Sequence, residues 1–183
     1  MRMIGNWELY GLDKADLHYE LAEAYGEAAW RLCEGMLANQ YPSTWSHAKV
    51  LLSLSHHAVE LFLKYALARS SNTVPGNHYI RELYDQYLNV YSEEAFSFDP
   101  KFITEFLGGT PESVSSALAK EEQHKNKIDQ MFRYHTDRSG SPWEGAHGFL
   151  PEEFCKDMQV FLNRMKEIRS EIEKRLAPQN TAA

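Results

Sequence analysis

The sequence predicts an all-α protein built as a single up-and-down bundle of about five helices. Three observations carry that expectation. Apolar residues recur every three to four positions over long stretches, no segment alternates convincingly at period two, and the breaks between periodic stretches are polar and marked by Gly or Pro. The chain has 183 residues, 43% hydrophobic and 25% charged, an ordinary globular composition. Chains of this size bury roughly 70% of their unfolded surface, so residues 1–177 are read as one domain and 178–183 as a flexible tail.

The first helix is predicted over 12–39, with Asp13 as its cap and Asp16 favourable in its first turn. Its inner stripe is read as Leu17, Leu21, Ala24, Tyr25, Ala28, Leu32 and Met36. Tyr41-Pro42-Ser43 leads into a second helix over 43–68, capped by Ser43, with Leu51, Leu52, Ser55, Ala58, Val59, Phe62 and Ala66 facing inward. As the most apolar helix it is expected at the centre of the bundle. A loop over 70–77 precedes a shorter helix over 79–91, whose inward residues are read as Ile80, Leu83, Tyr84, Tyr87 and Leu88.

Asp99-Pro100 is a cap followed by proline at the first helical position, which opens a short helix through Phe106. Residues 113–124 are polar with a thin core face, Ile128, Met131 and Phe132 return to apolar spacing, and 137–150 is turn-rich. Pro151 starts the last helix, predicted over 151–175. Phe154, Met158, Phe161, Met165, Ile168 and Ile172 form its seam, and Lys174 and Arg175 suit its carboxyl end.

The net charge of −7 excludes a protein that holds DNA or RNA by bulk electrostatics. Between 120 and 138, five basic residues face four acidic ones, so no basic footprint appears there either. No apolar run reaches the ~18 residues of a membrane span, and the amino terminus lacks a signal-peptide core, so a cytoplasmic protein is expected. Cys33 and Cys155 then read as reduced, packed thiols. No cofactor or metal site is expected. Glu121 and His124 supply one Glu-x-x-His where di-metal bundles use two, and Gly108-Gly109 lacks the Lys-Ser/Thr of a phosphate loop.

The polar residues that invite chemistry lie on the second helix. At 100° per residue, His56, His57, Glu60 and Lys64 share one sector of an otherwise apolar helix. Such a stripe is either a solvated edge with Glu60 and Lys64 as an exposed i,i+4 pair, or the lining of a cleft or dimer seam. His78 stands at the start of the third helix, and Phe132, Tyr134 and Trp143 are aromatic groups able to stack on a base or to pack.

Together, Ala58-Val59-Glu60-Leu61-Phe62-Leu63-Lys64, then Gly76-x-His78-x-Ile80-x-x-Leu83, then Arg133-Tyr134 before the final helix resemble the HEPN superfamily over about 17–176. The resemblance implies a small helical bundle, commonly homodimeric, often acting in toxin–antitoxin or phage-defence systems, with Glu60 similar to the family's acidic group facing the cleft. Catalytic members cleave RNA without metal, using an Arg and a His four to six residues apart. A histidine there moves a proton while the arginine stabilises charge on the phosphorane. Here Arg133 and His135 have one residue between them, and Arg138 and His147 have eight. The sequence therefore favours a non-catalytic homodimeric module that binds a nucleotide, an RNA element or a partner protein. The expected cleft is lined by His56, His57, Glu60, Lys64, His78, Arg133, Tyr134 and His135. The alternatives are a metal-independent endoribonuclease using Arg133 with His135 or Arg138 with His147, and a purely structural interaction bundle.

Overall fold

The computed structural model describes residues 4–99, 105–106, 132–134, 136, 139–141, 147–148 and 150–177. The fold is all-α. Among the described residues the α-helices are α1 (Lys14–Leu37), α2 (Trp45–Ser71), α3 (Ile80–Val90) and α4 (Pro151–Leu176), with 3-10 turns at Asn6–Leu9 and Glu94–Phe96. The stretches predicted over 113–124 and around Ile128 and Met131 lie outside the described residues.

Local chemistry sets the helix ends. The Asp13 carboxylate accepts from the Asp16 amide at 2.8 Å and so caps α1 as its sequence predicts. The cap of α2 is Thr44, one residue beyond the expected Ser43. Asn72 closes that helix in the left-handed region (φ 58°), its amide reaching the Ala68 carbonyl at 2.8 Å. Pro151 sits in the first turn of α4, with Glu152 and Glu153 at the positive end of the dipole and Lys174 and Arg175 at the negative end.

Cross-helix pairs fix the directions. Arg69, near the end of α2, meets Asp13 and Asp16 at the start of α1, at 2.7 and 2.5 Å, so α1 and α2 run antiparallel. Lys166 of α4 reaches Glu23 at 2.8 Å, while the Cys33 thiol near the end of α1 donates to the Pro151 carbonyl at 3.2 Å; α4 is therefore antiparallel to α1 as well. The Tyr65 hydroxyl donates to Glu173 at 3.2 Å, which aligns α2 with α4.

The core follows from these directions. Every residue of α2 from 58 to 68 is buried, the mark of a helix enclosed by its neighbours. The α4 seam, Phe154 to Ile172, is buried as predicted. Of the predicted α1 stripe only Met36 is fully buried, with Tyr25 and Leu32 partly buried against the core. The buried stripe is Ala15, Tyr19, Ala22, Gly26, Ala29, Cys33 and Met36, at spacings of 4, 3, 4, 3, 4 and 3, with Gly35 buried beside it, while Leu21 is 42% exposed and Ala24 and Ala28 face outward. Small residues win the inner face because the helices approach closely there. A Cβ on Gly26 would lie 2.8 Å from the Leu162 side chain and 3.7 Å from that of Ala58.

Leu88, expected to point inward, is 41% exposed, whereas Leu83 and Tyr87 are buried. Phe96 and Phe98 bring a second aromatic cluster onto Tyr87, Tyr91 and Phe161. Arg164 holds that segment by donating to the carbonyls of Glu94, Ala95 and Ser97. A further correction concerns Phe106, read as the end of a short helix. Glu105 and Phe106 instead pair antiparallel with Gly148 and His147 as the two-residue strands β1 (Glu105–Phe106) and β2 (His147–Gly148).

Candidate functional site

The polar stripe of α2 is not a solvated edge. Glu60 is 4% exposed and Lys64 5%, because α2 is covered on that side too. Lys64 Nζ donates to Glu60 Oε1 at 2.9 Å, and His78 Nδ1 lies 2.8 Å from the same oxygen, so the residues before α3 close over the pair. His78 Nδ1 is also 3.4 Å from Lys64 Nζ. The other oxygen, Oε2, faces His57 Nδ1 at 3.6 Å. Burial by itself pushes the Glu60 carboxyl up, but His57, Lys64 and His78 together outweigh it and hold the group down at about 2. Glu60 is thus a fixed anion within the fold.

A cleft of about 180 Å³ opens over this carboxylate, lined by Tyr25, Ser53, Leu54, His56, His57, Glu60, Ile80 and Arg133. It brings together α1, α2, the start of α3 and the remote 132–134 segment. Two contacts seat that segment. Phe132 is buried, with its ring edge-on to His56 at 5.0 Å, and Lys49 Nζ donates to the Tyr134 carbonyl at 2.8 Å. Arg133 stands exposed at the rim. The His57 ring is set edge-on to Tyr25, centroids 4.5 Å apart, which fixes one wall.

Of the residues predicted for a cleft, His56, His57, Glu60 and Arg133 line this one. Lys64 and His78 instead both engage Glu60 Oε1, at 2.9 and 2.8 Å, and are not among the lining residues. Tyr134 contributes its carbonyl to the Lys49 contact, and its side chain is 58% exposed. His135 and Arg138 lie outside the described residues, as does the His147 side chain. Sequence reasoning missed Tyr25, Ser53, Leu54 and Ile80 as lining groups, and Lys49 as a donor to the Tyr134 carbonyl next to Arg133. Tyr25 was assigned to the core stripe of α1. The Lys49 contact spans 85 positions and left no local pattern to read.

Another concavity among the described residues, a shallow groove of about 700 Å³ between α1 and the end of α4, offers less. Its cations are already matched, Lys166 with Glu23 at 2.8 Å, Arg169 with Glu20 at 3.3 Å and Lys174 with Glu171 at 2.6 Å. Cys33 is buried, and burial followed by the Cys155 neighbour pushes its thiol up to about 12, so it is no nucleophile at neutral pH. Among the described residues no group of three or more His, Cys, Asp or Glu is arranged to hold a metal ion, and no helix is long and apolar enough to cross a membrane.

No family model, curated protein or solved structure matches this chain.

Proposed function

We propose that this chain is a HEPN-like, homodimeric helical module without catalytic activity, which binds a nucleotide or a short single-stranded RNA element at the cleft over Glu60, in a setting of the toxin–antitoxin or phage-defence kind. One observation carries the reading. Arg133, more than seventy positions away in sequence, lines the same cleft as His56, His57 and Glu60. An exposed guanidinium at the rim of a small pocket walled by rings suits a ligand with a flat ring and a phosphate. The order of the sequence motifs, with Glu60 to Lys64, then the His78 segment and then Arg133 before the last helix, is what supports the HEPN-like reading.

Calorimetric titration with mononucleotides and with the matching nucleosides tests the reading. The intact chain binds nucleotides, and Arg133→Ala weakens nucleotide binding about tenfold or more while leaving nucleoside binding close to wild type, as loss of one charge-assisted contact requires. Absence of nucleotide binding, or binding indifferent to Arg133→Ala, overturns it. Light scattering on the same samples reports whether the chain is dimeric, and RNA incubated with it in EDTA stays intact.

A further inference from the structure

We infer that Glu60 is the specificity element of this cleft, and that the ring it accepts is a nucleobase carrying an exocyclic amino group, bound with that amino group donating to Glu60 Oε2. The inference rests on the nucleotide-binding reading above and deepens it.

The two carboxylate oxygens differ. Oε1 is engaged by Lys64 and His78, at 2.9 and 2.8 Å. Oε2 has His57 Nδ1 at 3.6 Å, beyond hydrogen-bonding length, and no closer donor among the described residues. Glu60 nevertheless lines the cleft while its side chain is only 6% exposed. A carboxylate oxygen that lines the cleft, with its nearest side-chain donor at 3.6 Å, has acceptor capacity left for a ligand, so the ligand group placed against it is a donor.

The donor is neutral rather than cationic. The charge of Glu60 is already balanced by Lys64 at 2.9 Å. The donor is also not a phosphate, whose oxygens would face the anion. Size narrows the choice further. About 180 Å³ falls well below the ~300 Å³ at which pockets take whole drug-sized ligands, so one ring enters and the sugar and phosphate stay outside, where Arg133 stands. Tyr25, Leu54 and Ile80 supply apolar walls for the faces of a flat ring. Among bases, uracil fits poorly because its one N–H is flanked by two carbonyl oxygens that would meet the carboxylate. Adenine, guanine and cytosine each present an amino group at the ring edge.

The test changes the ligand and leaves the protein intact. Affinities of the full chain are measured for GMP against IMP, and for AMP against purine riboside 5′-monophosphate, each pair differing by one amino group. A site built to hydrogen-bond a ligand group strongly rejects the analogue that lacks it, so a preference of about tenfold or more for the amino-bearing member is expected in at least one pair. Smaller differences in both pairs, with the nucleotides still binding, overturn this inference and leave the nucleotide-binding reading standing. Failure of all four to bind overturns both. Glu60→Gln, checked for folding by circular dichroism, is expected to bring the preferred pair within about threefold; a preference that survives in the folded variant overturns the role of Glu60.

Discussion

At Glu60 two opposing effects meet, and the outcome sets the pH behaviour of the site. Burial disfavours the charged form, whereas His57, Lys64 and His78 favour it and prevail, leaving the carboxyl near 2 instead of its ordinary 4.5. A folded-state value below the unfolded one contributes stability that is complete above about 4.5 and is lost as pH falls from there towards 2. Urea denaturation across that window is expected to show the loss. The double replacement Glu60→Leu with Lys64→Met is expected to flatten it, because an apolar pair of similar volume has no proton to take up and is commonly neutral to ~4 kcal/mol stabilising. An equally steep loss in the double variant would assign the effect to other carboxylates. The 100° rule placed Glu60 and Lys64 on one face with His56 and His57. It could not show that this face is covered, since enclosure depends on His78 and the residues before α3.

In α2 and α4 the residues that periodicity reads as inward, from Leu51 to Ala66 and from Phe154 to Ile172, are buried, while Trp45, Val50, Val160 and Leu176 of the same helices are exposed. In α1 the ranking by hydrophobicity chose Leu17, Leu21 and Leu32, but the packed stripe consists largely of Ala, Gly and Cys. Side-chain size, not transfer free energy, decides a face where helix axes come close, and hydrophobicity alone carries no information about that distance. At Gly26 the side chains of Leu162 and Ala58 come close from the two neighbouring helices. Gly26→Leu is therefore expected to lower stability by ~1–3 kcal/mol or more despite its better helix propensity, read as a shift in the urea midpoint. The same change at outward-facing Ala24 is expected to stay within ~0.5 kcal/mol. Equal effects at the two positions would refute the close approach. At Phe106 the proline signal at Pro100 suggested a helix, yet the last two residues pair with 147–148, a partner more than forty positions away that no local signal announces.

Across the whole molecule, a net charge of −7 leaves Arg133 to act against the surrounding field rather than with it. If single-stranded RNA binds through that rim, one or two phosphates are neutralised, and log affinity is expected to fall against log salt with a slope between about −0.7 and −1.4. Fluorescence anisotropy between about 50 and 200 mM salt measures it; a slope of about −3 or steeper would reveal a basic surface elsewhere and displace Arg133 from its role. The enclosure of α2 has a different consequence. With every residue from 58 to 68 buried, the backbone amides around Glu60 are expected to exchange with solvent only when the bundle opens. Any ligand of this cleft would therefore meet a floor that does not adapt, and discrimination would belong to that floor.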